Sequence, residues 1–96
     1  MKINFHPEAM REFIEAVDYY ENLGRGLGVD FVKEIYIGID LISLYPQAWH
    51  RVSKHARRFL IHRFPYGIVY RKEGKMIYVL AIMRLNREPN YWKERH

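Results

Sequence analysis

The sequence predicts an α+β domain in which a helical hairpin packs on one face of a twisted antiparallel β-sheet, in the order β-α-α-(β)-β-β-β. Three observations lead there. From Pro7 to Tyr45, apolar residues recur at helical spacing in two blocks, divided by Leu23-Gly24-Arg25-Gly26-Leu27-Gly28. From Arg57 onward the pattern changes to short runs rich in Val, Ile, Leu, Phe and Tyr, each bounded by Pro or Gly. Ahead of both, Lys2-Ile3-Asn4-Phe5 alternates polar and apolar as a short first strand does. A chain of 96 residues has material for one core, so residues 1–96 are read as a single domain.

His6-Pro7 ends the first strand, because proline favours extended geometry in the residue before it and suits the first turn of a helix. Glu8 then complements the helix dipole. The first helix is expected to run to about Asn22 with Met10, Phe13, Ile14, Val17 and Tyr20 as its core stripe. Glycines at 24, 26 and 28 end it and allow a sharp reversal. A phosphate loop is a poor reading of them, since a helix precedes and no Lys-Ser/Thr follows. The second helix is expected from Gly28 to Tyr45, stopped by Pro46. Phe31, Ile35, Ile39 and Ile42 form the stripe that should face the sheet. Ile37, Leu41 and Leu44 form a second one, which exceeds what a helix covering one side of a sheet needs and marks a candidate partner groove. Gly38 in mid-helix costs about 1 kcal/mol relative to Ala, so another element should approach closely there.

Residues 46–54 read as a turn leading into a short strand or irregular loop. Then come the runs RRFLIHRF (57–64) and YGIVYRK (66–72), a tight KEGK turn, and a long apolar run from Met76 to Met83, together a three-strand antiparallel meander. Pro89 is expected to open one frayed helical turn at the end.

Composition narrows the function. Absence of cysteine excludes disulfides and thiolate metal sites and fits the cytosol. No apolar run approaches the ~20 residues of a membrane helix. Charge is unevenly placed: residues 1–48 hold four Lys/Arg against eight Asp/Glu, and residues 49–96 hold twelve against three. The halves therefore carry −4 and +9, a division that points to a polyanion or an acidic partner facing the sheet. Its bland counterpart is a solvated strand surface with cations guarding the edges. His50, His55 and His62 fit no tight ligand spacing, so no metal or other cofactor is expected. Neither Ser43 nor Ser53 sits in a nucleophile elbow, and carboxylates are too few in the basic half for a paired mechanism. What remains is a basic and aromatic set: Lys54, Arg57, Arg58, Arg63, Arg84, Arg87 and Tyr91. Such a set can cleave RNA without metal, with Arg and Lys stabilising the phosphate and His62 or Tyr91 carrying protons. It can equally dock a partner, with Arg84, Arg87, Tyr91 and Trp92 bringing cations and aromatics to one rim.

Two segments resemble the RelE/ParE superfamily of toxins from bacterial type II toxin–antitoxin modules. Arg63-Phe64-Pro65-Tyr66-Gly67-Ile68-Val69-Tyr70 resembles the RFPYxIxY segment, and Arg84-Leu85-Asn86-Arg87-Glu88-Pro89-Asn90-Tyr91-Trp92 resembles the closing HxxRxPxYW. The resemblance covers essentially the whole chain and implies a toxin bound by a cognate antitoxin, which should cover Ile37, Leu41 and Leu44. Two departures bear on its target. Arg84 stands where the closing motif commonly has His, and Gly67 stands where ribosome-dependent nucleases of the RelE type carry a catalytic Arg. The chain is thus nearer the ParE type, which poisons DNA gyrase. On that reading Arg57, Arg63, Arg84, Arg87, Tyr91, Trp92 and Lys93 dock the target. On the alternative, ribosome-dependent mRNA cleavage, Lys54, Arg58, His62 and Tyr91 are the chemical groups. A third reading is a non-toxic nucleic-acid-binding module.

Overall fold

A computed structural model describes all of residues 1–96. The elements are β1 (Lys2–Phe5), α1 (Pro7–Leu23), α2 (Leu27–Leu44), β2 (His50–Arg51), β3 (Arg57–Leu60), β4 (Tyr66–Glu73) and β5 (Met76–Arg84). The fold is the expected α+β arrangement, with both helices on one face of a five-stranded sheet of order β1-β5-β4-β3-β2. The sheet is mixed rather than wholly antiparallel: β3, β4 and β5 form the meander, but β1 lies parallel to β5, Ile3 opposite Ile77 and Phe5 opposite Val79. The meander leaves one edge of β5 open, and β1 fills it in the parallel direction before the chain enters α1. Strand direction at an edge has no signature in the residues of the strand itself.

Each helix begins where the sequence supplies a partner for its free N–H groups. His6 Nδ1 accepts from the Glu8 N–H at 3.0 Å, with Pro7 just inside the helix. Gly26, at φ 87°, makes the reversal, and the Glu21 carboxylate accepts from the N–H groups of Gly26 (3.1 Å) and Gly28 (3.0 Å). The start of α2 therefore does hold an anion, supplied by α1 itself, which is why the glycine-rich connection has no place for a phosphate.

Phe31, Ile35, Ile39 and Ile42 face the sheet as expected. At Gly38 an added Cβ would come 2.8 Å from Ile68 Cδ1 and 2.9 Å from Phe59 Cε1, so the sheet side chains occupy the space a larger residue would need. On α1 the buried positions are Ala9, Phe13, Ala16 and Tyr20, while Met10 and Ile14 are exposed and Val17 is half-buried. The alanines keep the same helical spacing and let α1 approach its neighbours; Phe13, Val17 and Tyr20 of the expected stripe do meet the core, and size alone added Met10 and Ile14 to it. Tyr20, Phe31, Phe64 and Tyr66 stack around one point, with ring centroids 4.6 Å apart for Tyr20–Phe64 and 5.0 Å for Phe31–Tyr66.

The second sheet face carries its own cluster of Ala56, Val69, Leu80, Ala81, Met83 and Trp92. A register shift at Val69/Tyr70 leaves Leu80 without an opposite residue, so Leu80 and Ala81 both turn to this face. The run expected over residues 57–64 ends at Leu60, where a bend follows with Arg63 at φ 71°. The C-terminal segment is not frayed: Trp92 is 3% exposed and Nε1 donates to Pro89 O at 2.9 Å. It packs on the face the helices leave open.

Candidate functional site

Arg84, Arg87 and Tyr91 of the predicted rim line one cavity, while Arg57 of the docking set lies toward the other end of the sheet. β4 and β5 pair from Tyr66↔Arg84 at one end to Glu73↔Met76 at the other, and at about 3.3 Å per residue these ends are roughly 20 Å apart. At the first end, Arg84, Arg87, Tyr91, Tyr19, Tyr66 and Glu12 line a cavity of about 360 Å³. The Arg84 guanidinium lies 5.5 Å from the Tyr19 ring centre, and its Nε is closed to solvent without a partner. Arg87 sits 3.8 Å over the Tyr91 ring and 3.6 Å from the Glu12 carboxylate. Arg63 is apart from them, paired with Asp30 of α2 at 3.1 Å.

Trp92 leaves the docking set, because its ring is core of the second sheet face and its N–H is already bonded. Tyr91 is half-buried, with its hydroxyl oxygen closed to solvent. Burial first, and the Glu12 carboxylate second, hold that hydroxyl protonated well above the ordinary phenol range, the reverse of what a proton carrier at neutral pH requires. Lys93 remains exposed.

No single concavity gathers the four nuclease candidates. Lys54 and Arg57 line a basin at the hairpin end and Tyr91 lines the cavity at the other; Arg58 and His62 line neither. Arg58 instead lies across Gly67: a Cβ there would meet Arg58 Cγ at 2.9 Å and Cδ at 3.0 Å. An arginine at 67 would have to displace the stem of Arg58.

On the helical side, Ile37 and Leu44 are exposed, but Leu41 is half-buried and packs on the core. A concavity with a mainly apolar lining lies elsewhere, between the two helices, where Met10, Ile14, Val17, Val32 and Tyr36 help line about 250 Å³; Ile14 is 55% and Tyr36 58% exposed. The exposure of Met10 and Ile14 on α1, misassigned to the core, is what creates it.

Two side chains that sequence reasoning passed over hold the C-terminal segment. Glu12 accepts from the Ile82 N–H at 3.1 Å and is gripped by Arg95 through both oxygens at 2.8 and 3.0 Å, while Arg95 Nη1 also donates to Leu80 O at 3.0 Å. Beyond Val79 the edge of β5 has lost β1, whose last bond is the His6 N–H to Val79 O at 2.8 Å. Glu12 and Arg95 take over the pairing of that edge. The signal in the sequence was a carboxylate on α1 and an arginine in the tail, 83 residues apart, with nothing local to join them.

The sequence model describing the ParE toxin of the type II toxin–antitoxin system parDE matches residues 3–89. The chain belongs to the ParE toxin family. A solved structure, the chromosomal ParDE toxin–antitoxin system from P. aeruginosa, superposes with a TM-score of 0.74 at 24% identity, over 88% of this chain and 96% of that one, and has the same fold. No curated protein matches the chain. The stretch matched to the ParE family includes both helices, the meander, Glu12, Arg84 and Arg87; Tyr91, Trp92 and Arg95 follow it. Membership implies an antitoxin partner. No helix is long and apolar enough to cross a membrane.

Proposed function

We propose that this ParE-family toxin arrests growth by docking on DNA gyrase and not by cleaving mRNA. The observation that supports this reading best is the scatter of Lys54, Arg58, His62 and Tyr91, with Arg58 filling the space at Gly67 that a nuclease arginine would take. Transition-state stabilisation requires groups already aimed at one phosphate, whereas docking is served by cations spread over a surface. The docking surface is the Arg84 end, with Arg84, Arg87, the Tyr91 ring and Lys93. Brief expression followed by mapping of mRNA ends and an assay for gyrase-dependent DNA breaks tests it. Breaks with intact mRNA are expected; codon-phased cleavage with intact DNA overturns the assignment.

The antitoxin site is the apolar groove between α1 and α2, continued by Ile37 and Leu44. A helix presenting apolar residues at i, i+3, i+4 and i+7 fits such a groove. Because Leu41 also supports the core, a charge there confounds folding with binding. Ile14→Asp is the cleaner change and should weaken the complex at least tenfold in calorimetry with an unaltered circular dichroism spectrum. Undiminished affinity for Ile14→Asp and Ile37→Asp together rejects the groove.

A further inference from the structure

The basin at the hairpin end is rich in basic side chains. Arg51, Lys54, His55, Arg57, Arg71 and Lys72 line an open concavity of about 270 Å³, with no carboxylate among its lining residues. It is not a chance gathering of loose side chains. Arg51 Nη1 donates to Lys54 O at 3.0 Å, closing the loop between β2 and β3. Arg57 Nη1 donates to Trp49 O at 2.9 Å, and the Arg71 guanidinium lies 4.9 Å from the Tyr78 ring centre. Beneath them the Tyr70 hydroxyl donates to Pro46 O at 2.7 Å, fixing the basin wall, and Ser53 Oγ accepts from the Ala56 N–H at 3.1 Å, fixing the turn that carries Lys54 and His55. Three arginines are thus held in position, while the exposed Lys54 and Lys72 are free to adapt. Like charges gathered this closely repel one another in the free protein, although Glu73, paired with Arg71 beside the basin, offsets one of them. A ligand that supplies several negative charges relieves that repulsion and meets side chains whose ordering is largely complete.

We infer that the hairpin-end basin of Arg51, Lys54, His55, Arg57, Arg71 and Lys72 is a docking site for the phosphate backbone of duplex DNA. An acidic peptide is the weaker fit, because peptide recognition draws affinity from apolar pockets and this basin offers little beyond Pro46, Ala56 and the edge of Tyr70. A single strand is also the weaker fit, since Tyr70 is 1% exposed and no aromatic ring is presented on which bases could stack. With Arg51 and Arg57 each already engaged by a backbone carbonyl, contacts to phosphate should dominate, and binding is expected to be independent of sequence and steep in salt. Choosing DNA over duplex RNA rests on the gyrase reading; the site itself does not.

The test measures binding of a fluorescent 20-base-pair DNA duplex, a duplex RNA of equal length, and poly-glutamate by anisotropy over a series of salt concentrations. It compares the unaltered protein with Lys54→Glu/Lys72→Glu and with Arg25→Glu/Lys33→Glu, which makes the same change in net charge on the exposed helical side. The basin variant should lose at least tenfold in DNA affinity near 100 mM salt and flatten the log K against log salt slope by about 2, whereas the helical variant should change affinity by less than about threefold. Equal losses in both variants would show attraction to net charge alone and overturn the site. Tighter binding of poly-glutamate than of DNA through the same lysines would overturn the nucleic-acid assignment. Tighter binding of the RNA duplex through them would keep the site but overturn the choice of DNA, and with it count against the gyrase reading.

Discussion

The two faces of the sheet are closed by different means. Toward the helices, Phe13, Phe31, Ile35, Ile42, Ile68 and Val79 bury against one another in a single apolar cluster, and no member depends on one particular partner. On the other face, Ala56, Val69, Leu80, Ala81 and Met83 are covered by a tail that has no strand or helix of its own, held down by Trp92 and by the Glu12–Arg95 pair at the β5 edge. Burial on the first face is distributed and non-directional; on the second it hangs on a few directional bonds. The difference teaches that this domain has one cooperative core and one latch, and that the two should respond differently to single changes.

The largest effect is expected in the core. Phe31 is fully buried between Tyr20, Phe64 and Tyr66, so Phe31→Ala should cost about 3–5 kcal/mol and lower the urea midpoint for every probe together. If the fluorescence of Trp92, read in a Trp49→Phe background so that it reports on the tail, and far-ultraviolet circular dichroism separated in this variant, the core would not be the cooperative unit described.

This contrast also explains what could be read from the residues. The helical hairpin, the Phe31–Ile42 stripe, the meander and the close approach at Gly38 follow from periodicity and punctuation, which are local. The parallel placement of β1, the tail, and the Glu12–Arg95 pair depend on groups far apart in the chain, and Glu12 looked like one more acid on a polar helix face. The candidate site divided in the same way: which residues are basic was legible, but their partition between two sheet ends required the length and register of β4 and β5. Trp92 looked like an exposed recognition residue because nothing in its neighbours reveals that the second sheet face needs a cover.

Glu12→Gln tests the latch. The pair is only 10% and 12% exposed, and the change leaves the Arg95 cation and the Ile82 N–H with a weaker acceptor, at a cost of about 2–3 kcal/mol. Amides of β5 near Ile82 and of the tail should lose hydrogen-exchange protection ahead of those in α2. Restoring much of the loss with Glu12→Gln/Arg95→Met would show that the unpaired charge was responsible; uniform loss of protection would merge latch and core into one unit.

A smaller effect separates the faces by pH. Burial pushes the Tyr70 hydroxyl from 10 up to about 12. The folded protein therefore keeps a proton that the unfolded chain releases, so this contribution is complete below about pH 10 and is lost as pH rises toward 12. Tyr70→Phe should cost about 1 kcal/mol at neutral pH through the lost bond to Pro46 O, and should make the alkaline fall in melting temperature shallower. Tyr20, Tyr66 and Tyr91 are also shifted upward by burial, so the fall should shrink and not vanish. An unchanged alkaline limb would mean that Tyr70 titrates freely in the folded protein.

The smallest effect is expected at an ion pair that is short but exposed to solvent. Arg11 reaches Glu8 at 2.5 Å and Glu15 at 3.0 Å on the outer face of α1, and its side chain is 58% exposed. The Glu12–Arg95 contact is longer, at 2.8 Å, but lies almost wholly out of water. Solvent and salt screen the first pair and barely reach the second, and long exposed side chains lose entropy when held in one geometry. Arg11→Ala should therefore move the melting temperature by no more than about a degree, and 0.5 M salt should erase even that, while the Glu12→Gln loss persists in the same buffer. Should Arg11→Ala prove as damaging as Glu12→Gln, distance and not burial would set the strength of these pairs, and the latch would have no claim to be more than another surface contact.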